Sequence, residues 1–416
     1  MEEINRTLID WNPWHDGEFP EELQGIKRKI DLAKYLDFKE IKLIEGARRV
    51  GKSTLIYQVI KHLLGKTDKI LYVNFEDEIL KKYTLSEIYD SFLEIKEIDY
   101  LFIDEVQNCK EWASFVKKMY DTRKIKQIYI TGSNASLIKQ DFATLLTGRT
   151  IKIKIKPLTF EEYLRFKNIN PLPMSTQKKA KIKQSFSKYL NNGGFPEVAK
   201  REYAKREILT NYFEDFLYKD IVTRYNVNAE KIKDLSIYLA TNAGKIISHR
   251  KLGKTLNLNV MTVQDYINYL KEIHLLKEIY RYDPSLKKQF SSLKKPYFID
   301  TGIVNTISFR FSEDFGRVLE NLVFNNLEDA YLFQGKHECD FIIKEGLKIK
   351  KAIQVTSSIK NPETKRRELN GLLEAMDKHN LKEGLLLTFD EKDEFKIGKK
   401  KVIIKPVWEW LLEKNE

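Results

Sequence analysis

The chain has 416 residues, 42% hydrophobic and 32% charged, with 73 Lys and Arg against 60 Asp and Glu and a formal net charge of +13. That length is too great for one hydrophobic core and predicts about three domains, while the positive balance favours a polyanionic partner such as nucleic acid, or else lysines spread over a solvated surface. The two cysteines, Cys109 and Cys339, lie far apart without a CxxC or histidine-rich companion, which excludes a disulfide framework or zinc site and fits a reducing compartment.

In chain order, the opening "MEEINRTLID" lacks the basic start and apolar core of a signal peptide, and no apolar run approaches a membrane span. A cytoplasmic protein without a membrane partner is expected. Residues 1–24, with the proline-broken aromatic stretch "WNPWHDGEFPEEL", read as an extension laid across a neighbouring surface, with Trp11 and Trp14 as packing anchors. Residues 25–165 alternate short β-rich runs ("EIKLIEG", "KILYVNFED", "DYLFIDEV", "QIYITGSN", "IKIKIKPL") with helical ones, the pattern of a parallel sheet covered by helices. In "IKIKIK", Ile151 to Lys156, strict alternation predicts a strand with one apolar and one lysine face, protected against edge pairing. Residues 166–228 read as a helical lid or linker, with a tight turn at "NNGGFP", Asn191 to Pro196.

Chemistry concentrates at "GARRVGKST", Gly46 to Thr54. Gly46 and Gly51 let backbone N–H groups turn inward around phosphates, Lys52 reaches the outer phosphates, and Ser53 offers an oxygen to magnesium, with a helix following at its positive end. About fifty residues on, "YLFIDEV" closes an apolar strand with Asp104 and Glu105, one carboxylate for the magnesium shell and one to orient an attacking water. The cofactors expected are therefore ATP and Mg2+.

The motifs "GARRVGKS", "FIDEVQN", "TGSN" and "LTGRTIKIKIKPLTFEEY" resemble those of the AAA+ superfamily, specifically archaeal and bacterial ATPases of about this length. The resemblance implies that Asp104 serves magnesium, Glu105 polarises the water, Asn134 senses the terminal phosphate, and Arg49 belongs to the phosphate loop. It also places Arg149 as an arginine finger donated to an adjacent subunit, hence a homo-oligomer; the alternative is a local ion pair with a carboxylate.

Residues 229–308 read as a winged helix-turn-helix: helices over "SHRKLGKTLN" and "NVMTVQDYINYLKEIHLL", then two strands around the loop "PSLKKQFSSLKK". Asn259, Thr262 and Gln264 would begin a recognition helix facing base edges, and Lys287, Lys288, Lys294 and Lys295 in the wing would meet phosphates, of DNA in preference to RNA. Such modules also serve as plain packing units. Residues 309–416 run helix, strands, helix, strands and look like a small α/β restriction-endonuclease-like domain. Glu320, Asp340 and Gln354 match its positions for a second magnesium. The pattern departs where Gln354 replaces a carboxylate and Thr356 a lysine, so a degenerate domain used for binding is the alternative to an ATP-gated nuclease. The fold class expected is a P-loop NTPase parallel-sheet domain, a helical region, a winged helix and this small α/β domain. A nucleotide-driven DNA-binding protein follows, with a switch of negligible turnover as a further alternative.

Overall fold

Successive rather than alternating apolar residues mark β1 (Ile41–Glu45), β2 (Ile70–Asn74) and β3 (Tyr100–Asp104), and such runs suit strands covered on both faces. With β4 (Gln127–Gly132) and β5 (Thr150–Lys154) they form one parallel sheet of order β2-β3-β4-β1-β5. The computed structural model describes residues 2–30, 32–132, 145–172, 175–309 and 315–413. It divides into two compact units, residues 1–156 with 272–274 and residues 157–271 with 275–416.

The parallel sheet is the frame of the first unit. Chain order passes from β1 to β2 at one edge and from β4 to β5 at the other, so the strand ends around β1 open a crevice of the kind where α/β sheets bind ligands. The helix Lys52–Leu64 buries Leu55, Ile56, Val59, Ile60 and Leu63, and a capping box of Thr84 and Glu87 starts the helix Leu85–Leu93. As the alternation required, β5 is an edge strand with Ile153 buried, like Ile155 just past its end, and Lys152 and Lys154 exposed. The N-terminal stretch packs here through a helix, Glu2–Trp11, that sends Ile4 and Leu8 into the core. Fully buried Asn12 exchanges hydrogen bonds of 2.7 and 2.8 Å with the N–H and carbonyl of Tyr72, closing part of the exposed edge of β2.

The second unit begins with helices Phe160–Phe166, Thr176–Asn192, Lys205–Leu217, Ala229–Thr241, His249–Leu256 and Val260–Glu272. Leu276, which the sequence pattern attaches to the last of these, instead opens β6 (Leu276–Ile279), paired antiparallel with β7 (Lys295–Phe298). Between the two strands runs a short helix, Leu286–Ser291, and Ile247 bridges Lys294 beside β7. Helices Thr301–Ile307 and Phe315–Asn325 lead to a six-stranded mixed sheet of order β12-β13-β11-β10-β9-β8. Its strands are β8 (Ala330–Gln334), β9 (Glu338–Glu345), β10 (Lys348–Val355), β11 (Glu383–Thr388), β12 (Asp393–Ile397) and β13 (Lys400–Pro406). The helix Pro362–Lys378, capped by Asn361, makes the crossover between parallel β10 and β11. Phe160, Phe186, Ile279, Tyr297, Leu319, Phe341, Leu387 and Trp408 share one core, so helices, hairpin and sheet of this unit stabilise one another.

Candidate functional site

At the carboxyl end of β1 the chain leaves the sheet through Gly46, where an added Cβ would lie 2.3 Å from the Ile155 carbonyl oxygen; no other residue type fits without moving β5. The loop returns to helix at Gly51, whose φ of 96° is left-handed, and Arg49 at 67° makes a second positive-φ bend on the exposed side. Lys52 therefore starts its helix with the ammonium turned back into the loop, 3.2 Å from the Gly46 carbonyl oxygen and 3.1 Å from that of Ala47. Ser53 and Thr54 follow in the first helical turn.

The end of β3 faces this loop with two carboxylates, Asp104 and Glu105, and the end of β4 with the Thr131 hydroxyl. Glu105 lies 3.6 Å from the Lys52 ammonium, and its own backbone N–H donates to the Thr131 hydroxyl at 3.0 Å. A φ of 52° at Glu105, costly for a residue with a Cβ, gives the turn its form. Asp104 is enclosed by hydroxyls: Tyr72 donates to it at 2.9 Å, and Thr131 and Ser53 are also hydrogen-bonded to it. Burial, then the neighbouring Glu105, push the Asp104 carboxyl up; the hydroxyl donors pull it down by less. A buried carboxylate beside a second carboxylate and a serine hydroxyl is short of positive charge, which fits a cation held by Ser53 and Asp104.

Arg28 was not legible as part of this site. Arg28 is 7% exposed, and its guanidinium donates to the carbonyl oxygens of Val50, inside the loop, at 2.8 Å and of Lys156 at 2.7 Å. Gln58 fixes the same strap by donating to the carbonyls of Gln24 and Ile26 at 2.8 and 3.1 Å. No spacing in "GIKRKI" signals this, because the contact is made across the fold. Arg149 is held by Asp121 through its Nε at 2.9 Å and a second nitrogen at 3.5 Å, the local pair that the sequence left open. Asn134 lies outside the described residues.

The second unit holds another charged cluster. Lys295 is 2% exposed on β7, and its ammonium contacts Glu338 at 2.7 Å, Glu320 at 2.9 Å and Asp340 at 3.2 Å. This corrects its assignment to the phosphate-facing wing: the residue points into the fold because only these carboxylates balance its buried charge. Tyr297 donates to Glu320 at 2.5 Å, and the Asp340 backbone N–H donates at 3.1 Å to Gln354, which in turn donates to Glu368 at 2.5 Å. Lys295, Glu320, Glu338, Asp340, Gln354 and Glu368 line a cavity of about 760 Å³ with Arg317, Arg367 and Thr356. Burial, then Glu320, hold the Asp340 carboxyl well above the usual carboxylate range. Glu320 and Asp340 thus meet around an ammonium, with Gln354 hydrogen-bonded to the Asp340 backbone; among the described residues no group of three or more His, Cys, Asp and Glu is arranged to hold a metal ion.

Of the remaining candidates, Asn259 and Gln264 are exposed and Thr262 half-buried; the Thr262 backbone N–H donates to the Asn259 side chain at 2.7 Å, so Asn259 caps its helix. Lys287 and Lys288 are exposed on the helix Leu286–Ser291, and Lys294 lies 4.7 Å from the centre of the Tyr280 ring.

Comparison with known proteins adds the following. A family profile described as "AAA domain" matches residues 38–164, and one described as "Domain of unknown function (DUF8612)" matches residues 183–314. The chain is 33% identical over 426 residues to an uncharacterized protein, MJ1544, of Methanocaldococcus jannaschii, covering 95% of this chain and 93% of that one. An uncharacterized protein of Haemophilus influenzae is 29% identical over 412 residues, 93% of this chain and 99% of the other. Among solved structures, AMPPCP-bound DnaA from Aquifex aeolicus aligns with 58% of this chain and 86% of its own at 16% identity and a TM-score of 0.26. The S. cerevisiae Hsp104:casein complex aligns with 56% and 49% at 14% identity and a TM-score of 0.30. At such scores no argument rests on these two structures.

Proposed function

Since the chain belongs to the same family as the uncharacterized protein MJ1544 of Methanocaldococcus jannaschii and carries an AAA domain, we propose that it binds and hydrolyses ATP and couples that cycle to DNA binding by its second unit. One observation carries the ATPase reading: the Lys52 ammonium lies inside the loop on two neutral carbonyls, 3.6 Å from Glu105. A phosphate offers that ammonium stronger, charge-assisted bonds than the carbonyls do. Ser53 and Asp104 would hold magnesium, which when bound supplies charge neutralisation at the phosphates. Backbone N–H groups of Gly46 to Thr54 orient the phosphates; Glu105, hydrogen-bonded to Gln107, orients the water and accepts its proton.

Asn134 is proposed as the sensor of the terminal phosphate. Arg149 is proposed as the finger donated to a neighbouring copy in a homo-oligomer, a move that would exchange Asp121 for phosphate. Winged-helix and restriction-endonuclease-like architecture, with Asn259, Thr262, Gln264, Lys287, Lys288 and Lys294 on DNA, is the finer reading of the second unit. Support comes from its charge: residues 245–294, without the buried Lys295, carry ten Lys and Arg against four Asp and Glu.

The carboxylate cavity is read as a non-cutting, degenerate site. Lys295 already engages Glu320, Glu338 and Asp340, and a divalent ion would compete with that ammonium for the same oxygens. Phosphate release measured with and without single- and double-stranded DNA tests the proposal. Lys52→Ala should abolish ATP binding, and Glu105→Gln should lower kcat about 10²- to 10⁴-fold with ATP still bound. Turnover that survives both variants overturns the ATPase reading; DNA cleavage with magnesium, lost in Asp340→Ala and kept in Glu105→Gln, overturns the non-cutting one.

A further inference from the structure

The tip of the β6–β7 hairpin exposes three large apolar side chains within eight residues: Leu286 at 65%, Phe290 at 63% and Leu293 at 53%. Leu286 and Phe290 stand four apart on the helix Leu286–Ser291 and therefore share a face. Core packing does not explain them. The tip is nonetheless well tied: the Ser285 N–H donates to Asp283 at 2.8 Å, the Ser292 hydroxyl to the Gln289 carbonyl at 2.7 Å, and Arg281 to the Gln334 carbonyl at 2.8 Å. Phe290 meets Tyr280 edge-on at 6.0 Å, and the Lys294 ammonium lies 4.7 Å from that ring on the same hairpin. A rigid ledge results, with an aromatic and an aliphatic side chain in solvent and Lys287 and Lys288 beside them.

We infer that Phe290 and Leu286 form an apolar wedge that packs against DNA bases and opens the stack at one step, while Lys287 and Lys288 hold the flanking phosphates; this rests on the DNA reading above. Charge selects the occupant. A protein partner would need an acidic surface around its apolar pocket, and the two side chains on this helix offer little apolar area for a bilayer interface, whose hold scales with that area. Double-stranded DNA offers both the phosphates and, between base pairs, an apolar slot that Phe and Leu side chains enter at the cost of unstacking.

The test uses the full chain with Mg-ATP and a 30-base-pair duplex carrying 2-aminopurine at successive positions. Wild type should raise the fluorescence at one position; Leu286→Ala/Phe290→Ala should lose that rise and bind about 5- to 100-fold more weakly, with an unchanged melting curve because both residues are exposed. Phe290→Trp should keep the rise. Lys287→Ala/Lys288→Ala should keep the rise at saturation while the dependence of log affinity on log salt flattens by about two phosphates. If the duplex binds but no position brightens and the double-alanine variant keeps its affinity, the wedge is refuted and the DNA reading stands. Wild type that binds no duplex at low salt sinks both, as does retention on phosphatidylserine vesicles instead of DNA that is lost in the double-alanine variant.

Discussion

Replacing Lys295 by Met keeps the volume of the side chain and deletes its charge. The ammonium is 2% exposed and serves three carboxylates, of which Glu320 and Asp340 are 7% and 5% exposed. Although burial pulls the Lys295 ammonium toward its neutral form, Glu320 and the other carboxylates more than reverse that and hold it charged. Removing it strands two buried carboxylates, and breaking a buried ion pair from one side costs about 3–5 kcal/mol. At about 2–4 °C per kcal/mol for a unit of this size, the transition of the second unit should fall by roughly 10 °C at pH 7 in calorimetry. The deficit should shrink as the pH is lowered, because burial and Glu320 raise the Asp340 carboxyl and so favour the protonated form, which needs no counter-charge. Adding Glu320→Gln and Asp340→Asn should restore most of the loss. A Lys295→Met protein within about 1 kcal/mol of wild type, or one whose deficit does not shrink at any lower pH where both proteins stay folded, refutes the reasoning.

Three further outcomes are expected. Arg28→Met takes the Arg28 donor away from the buried carbonyl of Val50 and from that of Lys156, which at about 1–3 kcal/mol for the buried Val50 carbonyl should lower the melting temperature of the first unit and raise KM for ATP with a smaller change in kcat; equal melting and KM would dismiss Arg28 as a positioning residue. Gly46→Ala puts a methyl 2.3 Å from the Ile155 carbonyl oxygen, so ATP binding by calorimetry should weaken at least tenfold, and unchanged binding would mean that β5 yields. Asp300 accepts backbone N–H bonds from Gly194, Gly302 and Ile303 at 2.7, 2.8 and 3.2 Å, yet burial pushes it from 3.8 to about 6. The folded state then holds this proton to higher pH than the unfolded chain, so its stabilisation is complete below about 4 and lost as pH rises through about 6, a difference of about 3 kcal/mol in urea titrations. Asp300→Asn should be less stable overall, since an amide oxygen cannot serve all three donors, but should lack that slope; a retained slope assigns it to another group.

The residues of the phosphate loop and the carboxylates after β3 were readable because their chemistry is local. Gly46, Gly51 and Lys52 act through backbone geometry within nine residues, and the apolar runs before them can only be strands covered on both faces. The alternation at Ile151 to Lys156 likewise specified an edge strand by itself, since period two sorts its side chains without help from any neighbour. Lys295 was misplaced for the opposite reason. Its stretch "SSLKKPYF" holds a second lysine at 294, and nothing within the hairpin separates an exposed lysine from one whose carboxylates arrive from 25, 43 and 45 residues further along the chain. Arg28, Tyr72 and Thr131 entered the first site in the same way. Local pattern fixes which backbone can form and where a phosphate could be cradled, whereas which charge neutralises which is decided only when packing removes water and brings distant groups within hydrogen-bond reach.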